Sequence, residues 1–462
     1  MSLLLLLLII IFHLTTCLFS ISITSPPSLS DLFNNLPILT SPSSFGHIPY
    51  GKSIPSKLFF NPSDDKINNA CFHLTDQPHF NSFISSLNPS SPFCVLSNFG
   101  DCTFLSKAKN IQLSGAQCAI LINDTPNEPI ESVLISDYAY KGNDITIPVI
   151  VMNYENGTTL KQFIFNNNSS ASIDITIHFE ITNKTDKVDV NIWYSADDEQ
   201  IYKLFTDMSK YYNMLLSSAK FVNVNIHVIT YRHMEYSEYS VNKYAVDHCY
   251  GSGKYCIQQN KLGINDGRAI VKEDIRQKCV YAIGGNYMKY MEGFYKECIC
   301  NGMFNEKCAE KVMENEGIKK EDVNQCISDS FINENDDCSR NEFIMENEIL
   351  NNEYKIREVN YVEKSPTVFI NKKLYFGNIN SNYIMEAVCA YSTNPTYICQ
   401  NDTFITQSQG SSLWFGIIIM SMILFSGTCL TIKYLNKLKH KSNRKVIISS
   451  ELGTLPKEYI SV

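Results

Sequence analysis

The chain has 462 residues, a formal net charge of −8, 44% hydrophobic residues and 16 cysteines. The acidic balance gives no electrostatic case for nucleic-acid binding. The length allows two or three domains, and the cysteine count fits an oxidising lumen better than the cytosol.

Residues 3–11 form an uncharged apolar run of leader length, and residues 1–20 read as a signal peptide. No Lys or Arg precedes that run, so an uncleaved signal-anchor is the competing reading. Residues 21–44 are rich in Ser and Pro with little periodicity, and read as an N-terminal arm. From residue 45 short apolar runs alternate with Gly and Asp turns. Residues 93–96 read as a strand, Asn98-Phe99-Gly100-Asp101 as a turn, and residues 107–113 as a short helix closed by Gly115. Residues 119–122 and 147–151 read as strands, residues 156–164 as a helix, and Ile173, Ile175, Ile177 and Phe179 as a half-buried strand. This first α+β domain is expected over residues 45–182, with a boundary near 185.

Val188, Val190 and Ile192 then alternate with polar residues. Ile201, Leu204, Phe205, Met208, Tyr212 and Leu215 share one helical face, and Val222 to Val228 returns to period two. Strand–helix–strand predicts a parallel pair. A hairpin over residues 366–376 and a helix over 382–390 follow, with Ile384, Met385 and Val388 inward. This order, interrupted by a Cys-rich helical insertion at 233–360, is that of an α/β thioredoxin-like fold over residues 187–400. Pro366 stands where that fold places a cis proline. The segment Trp193-Tyr194-Ser195-Ala196-Asp197-Asp198 stands where a redox member carries its cysteines, and it has none. In the insertion Cys298-Ile299-Cys300 reads as structural half-cystines, the alternative being a strained redox pair. His248, Cys249 and Cys256 lack zinc-site spacing, so no metal and no cofactor is expected.

Residues 413–432 are uncharged and twenty long, which at about 1.5 Å per residue spans a bilayer core. Residues 433–462 carry seven basic and two acidic residues. The positive-inside rule makes them a cytosolic tail. Fourteen cysteines then lie on the lumenal side: Cys71, Cys94, Cys102, Cys118, Cys249, Cys256, Cys279, Cys298, Cys300, Cys308, Cys326, Cys338, Cys389 and Cys399. All are disulfide candidates, with connectivity left open. The sequons Asn123, Asn156, Asn167, Asn168, Asn183 and Asn401 also lie before the span and are candidate glycosylation sites. The tail ends with Tyr459-x-x-Val462, the pattern of a tyrosine-based adaptor signal.

Two resemblances overlie this reading. Gly100-Asp101-Cys102-Thr103-Phe104, followed by Lys107, Gly115-Ala116, Ala119 to Asn123 and the stretch from Glu128 to Val149, resembles the protease-associated domain. The series Gly253-Lys254-Tyr255-Cys256, Asp266-Gly267-Arg268, Gln277-Lys278-Cys279, Cys308-Ala309-Glu310, Gln325-Cys326-Ile327, Ser365-Pro366-Thr367 and Glu386-Ala387-Val388-Cys389 resembles the central region of plant vacuolar sorting receptors. The resemblance implies a single-pass type I membrane protein of Golgi, endosome or vacuole. Its lumenal part would bind soluble cargo peptides through Gly100, Asp101, Cys102, Thr103 and Phe104, and its tail would recruit coat adaptors through Tyr459 and Val462. It implies no enzyme: neither H-E-x-x-H nor G-x-S-x-G occurs. Two departures stand out. Asn98-Phe99 replaces the Arg that precedes the loop Gly in that family, and the growth-factor-like repeats before the span are missing, so calcium dependence tied to them is not implied. A lumenal or cell-surface binding or scaffold protein is the second reading; it uses the same domains without the tail signal. A membrane-bound enzyme is the third.

Overall fold

The computed structural model describes residues 19–399, except 62–67, 89–90, 134, 136–141, 168–172, 218–220, 233–247, 258–260, 265, 333–344 and 396–398. Among the described residues no helix is long and apolar enough to cross a membrane. The expected span, the tail with Tyr459 and Val462, Cys338, Asn168, Asn401 and the apolar run at 3–11 all lie outside them.

The first domain is a closed barrel of seven strands: β1 (Phe19–Ser25), β2 (Ile38–Pro42), β3 (Ser53–Phe59), β4 (Phe93–Asn98), β5 (Cys118–Ile122), β6 (Val149–Met152) and β7 (Asp174–His178), in the order β1-β2-β6-β5-β4-β3-β7. The run β3-β4-β5-β6 is parallel and the remaining pairs are antiparallel. β4 and β5 are buried throughout apart from Asn98, as expected of parallel strands covered on both faces. Helices Phe104–Leu113 and Tyr154–Asn167 follow β4 and β6. Phe59, Phe80, Phe83 and Phe93 pack edge-on or tilted in the core, with centroids 5.0–5.9 Å apart.

The barrel corrects the expected arm. Residues read as unstructured form β1, a short helix Pro27–Leu32 and β2. Phe19 and Ser20, placed in the leader by the sequence, pair with Thr40 and Leu39, and Ser20 also pairs with His178. The signal was the alternation Phe19, Ile21, Ile23 against Ser20 and Ser22, hidden by its nearness to the apolar run. Phe19 and Ile21 are both 1% exposed. A leader ending at residue 20 would therefore remove a core ring.

The second domain holds the four-stranded sheet β15-β14-β8-β9. β8 (Val188–Tyr194) and β9 (Val222–Val228) are parallel and joined by helix Glu199–Ser217. Two ribbons lie in the insertion: β10 (Cys249–Tyr250) with β11 (Tyr255–Cys256), and β12 (Phe331–Ile332) with β13 (Glu346–Asn347). β14 (Thr367–Ile370) and β15 (Lys373–Leu374) close a two-residue hairpin in which Asn371 and Lys372 have φ of 49° and 63°. Those signs suit a type I′ turn, whose twist matches the strands. Helix Ser381–Tyr391 buries Ile384, Met385 and Val388, as expected. The Ser365–Pro366 peptide is cis, also as expected.

Helix Gly267–Ala282 covers the outer edge of β9. Lys278 Nζ donates to Ile226 O (2.8 Å) and the Tyr281 hydroxyl to Val224 O (2.7 Å). Side chains thus satisfy carbonyls that would otherwise invite another strand.

The two domains meet in a polar and aromatic joint. Gly46 N–H donates to Asn378 Oδ1 (3.1 Å), Asn378 N–H to Gly46 O (2.8 Å), and Asn378 Nδ2 to Ile145 O (2.9 Å). Phe376 N–H donates to the Tyr50 hydroxyl (2.7 Å), which donates to Phe376 O (3.2 Å). Glu386 accepts from Lys52 at 2.7 Å and pairs with His47 at 2.7 Å; His47 stacks on Tyr383 with centroids 4.2 Å apart.

Six disulfides form: Cys71–Cys102, Cys94–Cys118, Cys249–Cys256, Cys279–Cys326, Cys298–Cys308 and Cys389–Cys399. Cys300 departs from the expectation: it is exposed and carries a free thiol. Residues two apart on a helical segment point in different directions. Cys298 therefore turns inward to Cys308 while Cys300 faces solvent. Asn123 is 2% exposed, and its Nδ2 donates to Glu128 Oε2 (2.7 Å).

Candidate functional site

The loop predicted to face a peptide leaves the sheet at the end of β4. Phe99 N–H still donates to Ile122 O (3.2 Å). Gly100 (φ 86°) and Asp101 (φ 66°) then turn the chain through two left-handed residues. A Cβ at Gly100 would meet nothing within 4 Å, so the backbone angle rather than space selects glycine. Cys102 N–H donates back to Gly100 O (2.8 Å), and its sulfur is tied to Cys71. Thr103 caps the helix Phe104–Leu113, accepting from Ser106 N–H (3.2 Å).

Gly100, Asp101 and Thr103 are exposed, and Cys102 is half-buried. Phe104 is half-buried: its ring tilts against Phe99 at 4.7 Å and rests on the edge of the core. The Asp101 carboxylate accepts from Asn69 Nδ2 (2.9 Å).

Lys107, read from sequence as part of a helix and of the protease-associated pattern, lies beneath this loop with no exposure. Its ammonium donates to Asn69 O and reaches Cys71 Sγ at 3.7 Å. Burial pulls its pKa down to about 8, with Asp101 opposing. The signal was legible. Phe104, Lys107, Ala108 and Ile111 share one helical face, and Ala108 and Ile111 are core.

The position of the thioredoxin-like centre is filled from within. Ser195 N–H donates to Ser365 Oγ (3.0 Å), and Ala196 N–H to Asp274 Oδ1 (2.7 Å). Ser365 Oγ in turn donates to Asp198 Oδ2 (2.8 Å). Lys261 reaches Asp198 Oδ2 (2.6 Å) and Ser365 O (3.0 Å) with its ammonium, and Asp197 Oδ2 (2.9 Å) with its N–H. Below, Glu273 pairs with Arg276 and accepts from the Tyr290 hydroxyl (2.7 Å), while Gln277 Nε2 donates to the Tyr202 hydroxyl (2.9 Å). Burial pushes Asp274 well above the carboxylate range, with Asp197 and Glu273 adding repulsion. Asp197 is raised by burial too, against Ser195 and Lys261. Main-chain donors that could serve a thiolate here hold the chain's own oxygens. Sequence reasoning missed this network because Glu273, Asp274 and Arg276 lie on a helix of the insertion, far along the chain from Asp197 and Asp198.

The arrangement defines a class: a protease-associated barrel joined to a thioredoxin-like domain whose redox position is occupied by internal hydrogen bonds. Residues 67–160 match the family model of the PA domain, and residues 188–389 that of the vacuolar sorting receptor thioredoxin-like domain. The chain is similar to Vacuolar-sorting receptor 4 of Arabidopsis thaliana, 24% identical over 412 residues, covering 83% of this chain and 61% of that protein. It is also similar to Vacuolar-sorting receptor 1 of Pisum sativum, 24% identical over 411 residues with the same coverages. The resemblance to vacuolar sorting receptors thus extends across both domains. The chain spans about 61% of the length of these curated relatives. Among solved structures, a reduced disulfide bond oxidoreductase from Mycobacterium tuberculosis aligns at 9% identity and a TM-score of 0.27, over 47% of this chain and 85% of that one. At that score the likeness carries no weight.

Proposed function

We propose that the chain is a type I membrane sorting receptor. Its lumenal domains bind peptides of soluble cargo, and its tail recruits coat adaptors for traffic from the Golgi to an endosome or vacuole. The observation that carries this reading is the order of the two matched domains, PA at 67–160 followed by the sorting-receptor thioredoxin-like domain at 188–389. The relatives' name, vacuolar-sorting receptor, supplies the activity.

The loop Gly100–Phe104 is the proposed cargo contact. It offers exposed main chain and the Asp101 carboxylate, held in place by the Cys71–Cys102 disulfide and the helix cap at Thr103. The Arg of the plant pattern is replaced by Asn98-Phe99; the Lys161 ammonium donates to Asn98 Oδ1 (3.2 Å), and Lys107 is buried under the loop. A carboxylate facing outward favours cargo segments that present amide or basic donors. On the cytosolic side Tyr459 and Val462 are the proposed adaptor contacts, and residues 413–432 the proposed span.

Capture of lumenal proteins by the immobilised chain at pH 7 and pH 5, followed by peptide identification, tests the binding half. Recovery of a defined set of soluble secretory-pathway proteins is expected, and recovery of membrane scaffolds alone would favour the adhesion reading. Tyr459→Ala should leave capture intact and shift the protein to the cell surface. An unchanged distribution of that variant and of Val462→Ala would remove the adaptor role.

A further inference from the structure

The hairpin leaves part of one sheet edge bare. Phe369 lies opposite Leu374 and Ile370 opposite Lys373, and Tyr375 N–H donates to Val368 O (2.8 Å). Hydrogen-bonded and non-bonded pairs alternate in an antiparallel ladder. The N–H and C=O of Leu374 therefore point away from β14. β15 is the outermost strand on its side of the sheet. Two residues on, beyond the end of β15, the N–H and C=O of Phe376 are taken by the Tyr50 hydroxyl of the barrel. Among the described residues nothing does the same for Leu374, whose side chain is also 37% exposed.

A small cleft, open to solvent, lies beside this edge. Its apolar walls include Phe45 of the barrel and Pro366, Val368, Leu374 and Phe376 of the thioredoxin-like domain, and polar Asn143, Gln200, Lys364 and Asn378 also line it. A bare main-chain edge is recognised by another extended main chain, and an apolar pocket next to it by a side chain of that chain. We propose that an extended peptide segment lies along β15, exchanges both main-chain hydrogen bonds with Leu374, and seats one apolar side chain in this cleft. The proposal rests on the peptide-binding reading above and deepens it with a second subsite, made of different residues from the Gly100–Phe104 loop.

The test uses the full-length chain in detergent micelles and a capped, fluorescent heptapeptide with one central Leu among Ser residues. Two control peptides carry Asp for the Leu, or an N-methyl group on the Leu amide. Saturable binding is expected, weakened about tenfold or more in both controls. Two protein variants probe the other side. Leu374→Pro removes an outward N–H at a sheet edge, where Pro is tolerated. Leu374→Asp keeps the main chain and puts a charge on the apolar wall. Each should weaken the parent peptide to the same degree while thermal melting stays near the parent's. Absence of saturable binding to the parent, or equal binding by both variants and the N-methyl peptide, overturns the subsite. Cargo capture by the parent without peptide binding would sink this subsite and leave the receptor reading standing. Peptide binding without cargo capture would do the reverse.

Discussion

Asp101 serves the loop through both its backbone and its carboxylate. It holds a left-handed backbone, and its carboxylate ties Asn69 to the loop. Alanine there loses the carboxylate and tolerates the positive φ poorly, whereas asparagine keeps an acceptor and suits that conformation. Asp101→Asn is therefore expected to unfold in urea within about 0.5 kcal/mol of the parent, yet capture less cargo. Parent-like capture would take the carboxylate out of the site. Phe104→Ala should cost about 1–2 kcal/mol, as a half-buried ring does, and not the larger loss of a core ring.

Titration beneath and behind the two sites has opposite signs. Lys107 binds its proton less tightly folded than unfolded, because burial lowers it to about 8. The unfolded chain binds more protons between there and the ordinary lysine value, so stability rises with pH across that window. Lys107→Met should flatten that rise in denaturation curves between pH 8 and pH 10. Asp274 is raised, so the folded chain holds the proton more tightly. Its contribution is full below the ordinary aspartate range and declines as pH rises toward the folded value. Asp274→Asn retains an acceptor for Ala196 N–H and mimics the protonated acid. It should stabilise the chain at neutral pH and much less in acid; equal effects at both would contradict the assignment.

Among the elements, strands and helices with a clean period were legible: β8, β9, the hairpin around Asn371-Lys372 and the last helix stand where the alternation put them. β1 was not, because its Phe19-Ile21-Ile23 stripe adjoins a leader-like run of the same polarity. Helix Gly267–Ala282 was not read at all, since it buries Glu273, Asp274, Arg276 and Gln277, which no hydrophobic period reveals. That helix also shields β9, and its Lys278 pairs with Glu353 at 2.7 Å beside His227. Lys278→Met should destabilise the chain by about 2–3 kcal/mol, because Glu353 keeps a buried charge with one partner fewer. Urea unfolding monitored at Trp193 would measure this, and a loss near zero would show the pair to be incidental.

Across the whole molecule, the joint between barrel and thioredoxin-like domain was invisible in the sequence. It depends on pairs more than three hundred residues apart, such as Gly46 with Asn378 and His47 with Glu386. The Gly100–Phe104 loop, by contrast, was readable from contiguous residue types, while the buried Lys107 under it had to be seen in place. The central claim is that the chain carries soluble cargo away from the secretory route. The most direct measurement is the amount of captured cargo released into the medium by cells lacking the chain, with and without its re-expression. These proteins should be secreted in its absence and retained again on restoration. Unchanged retention of every protein that the chain captures would contradict the claim.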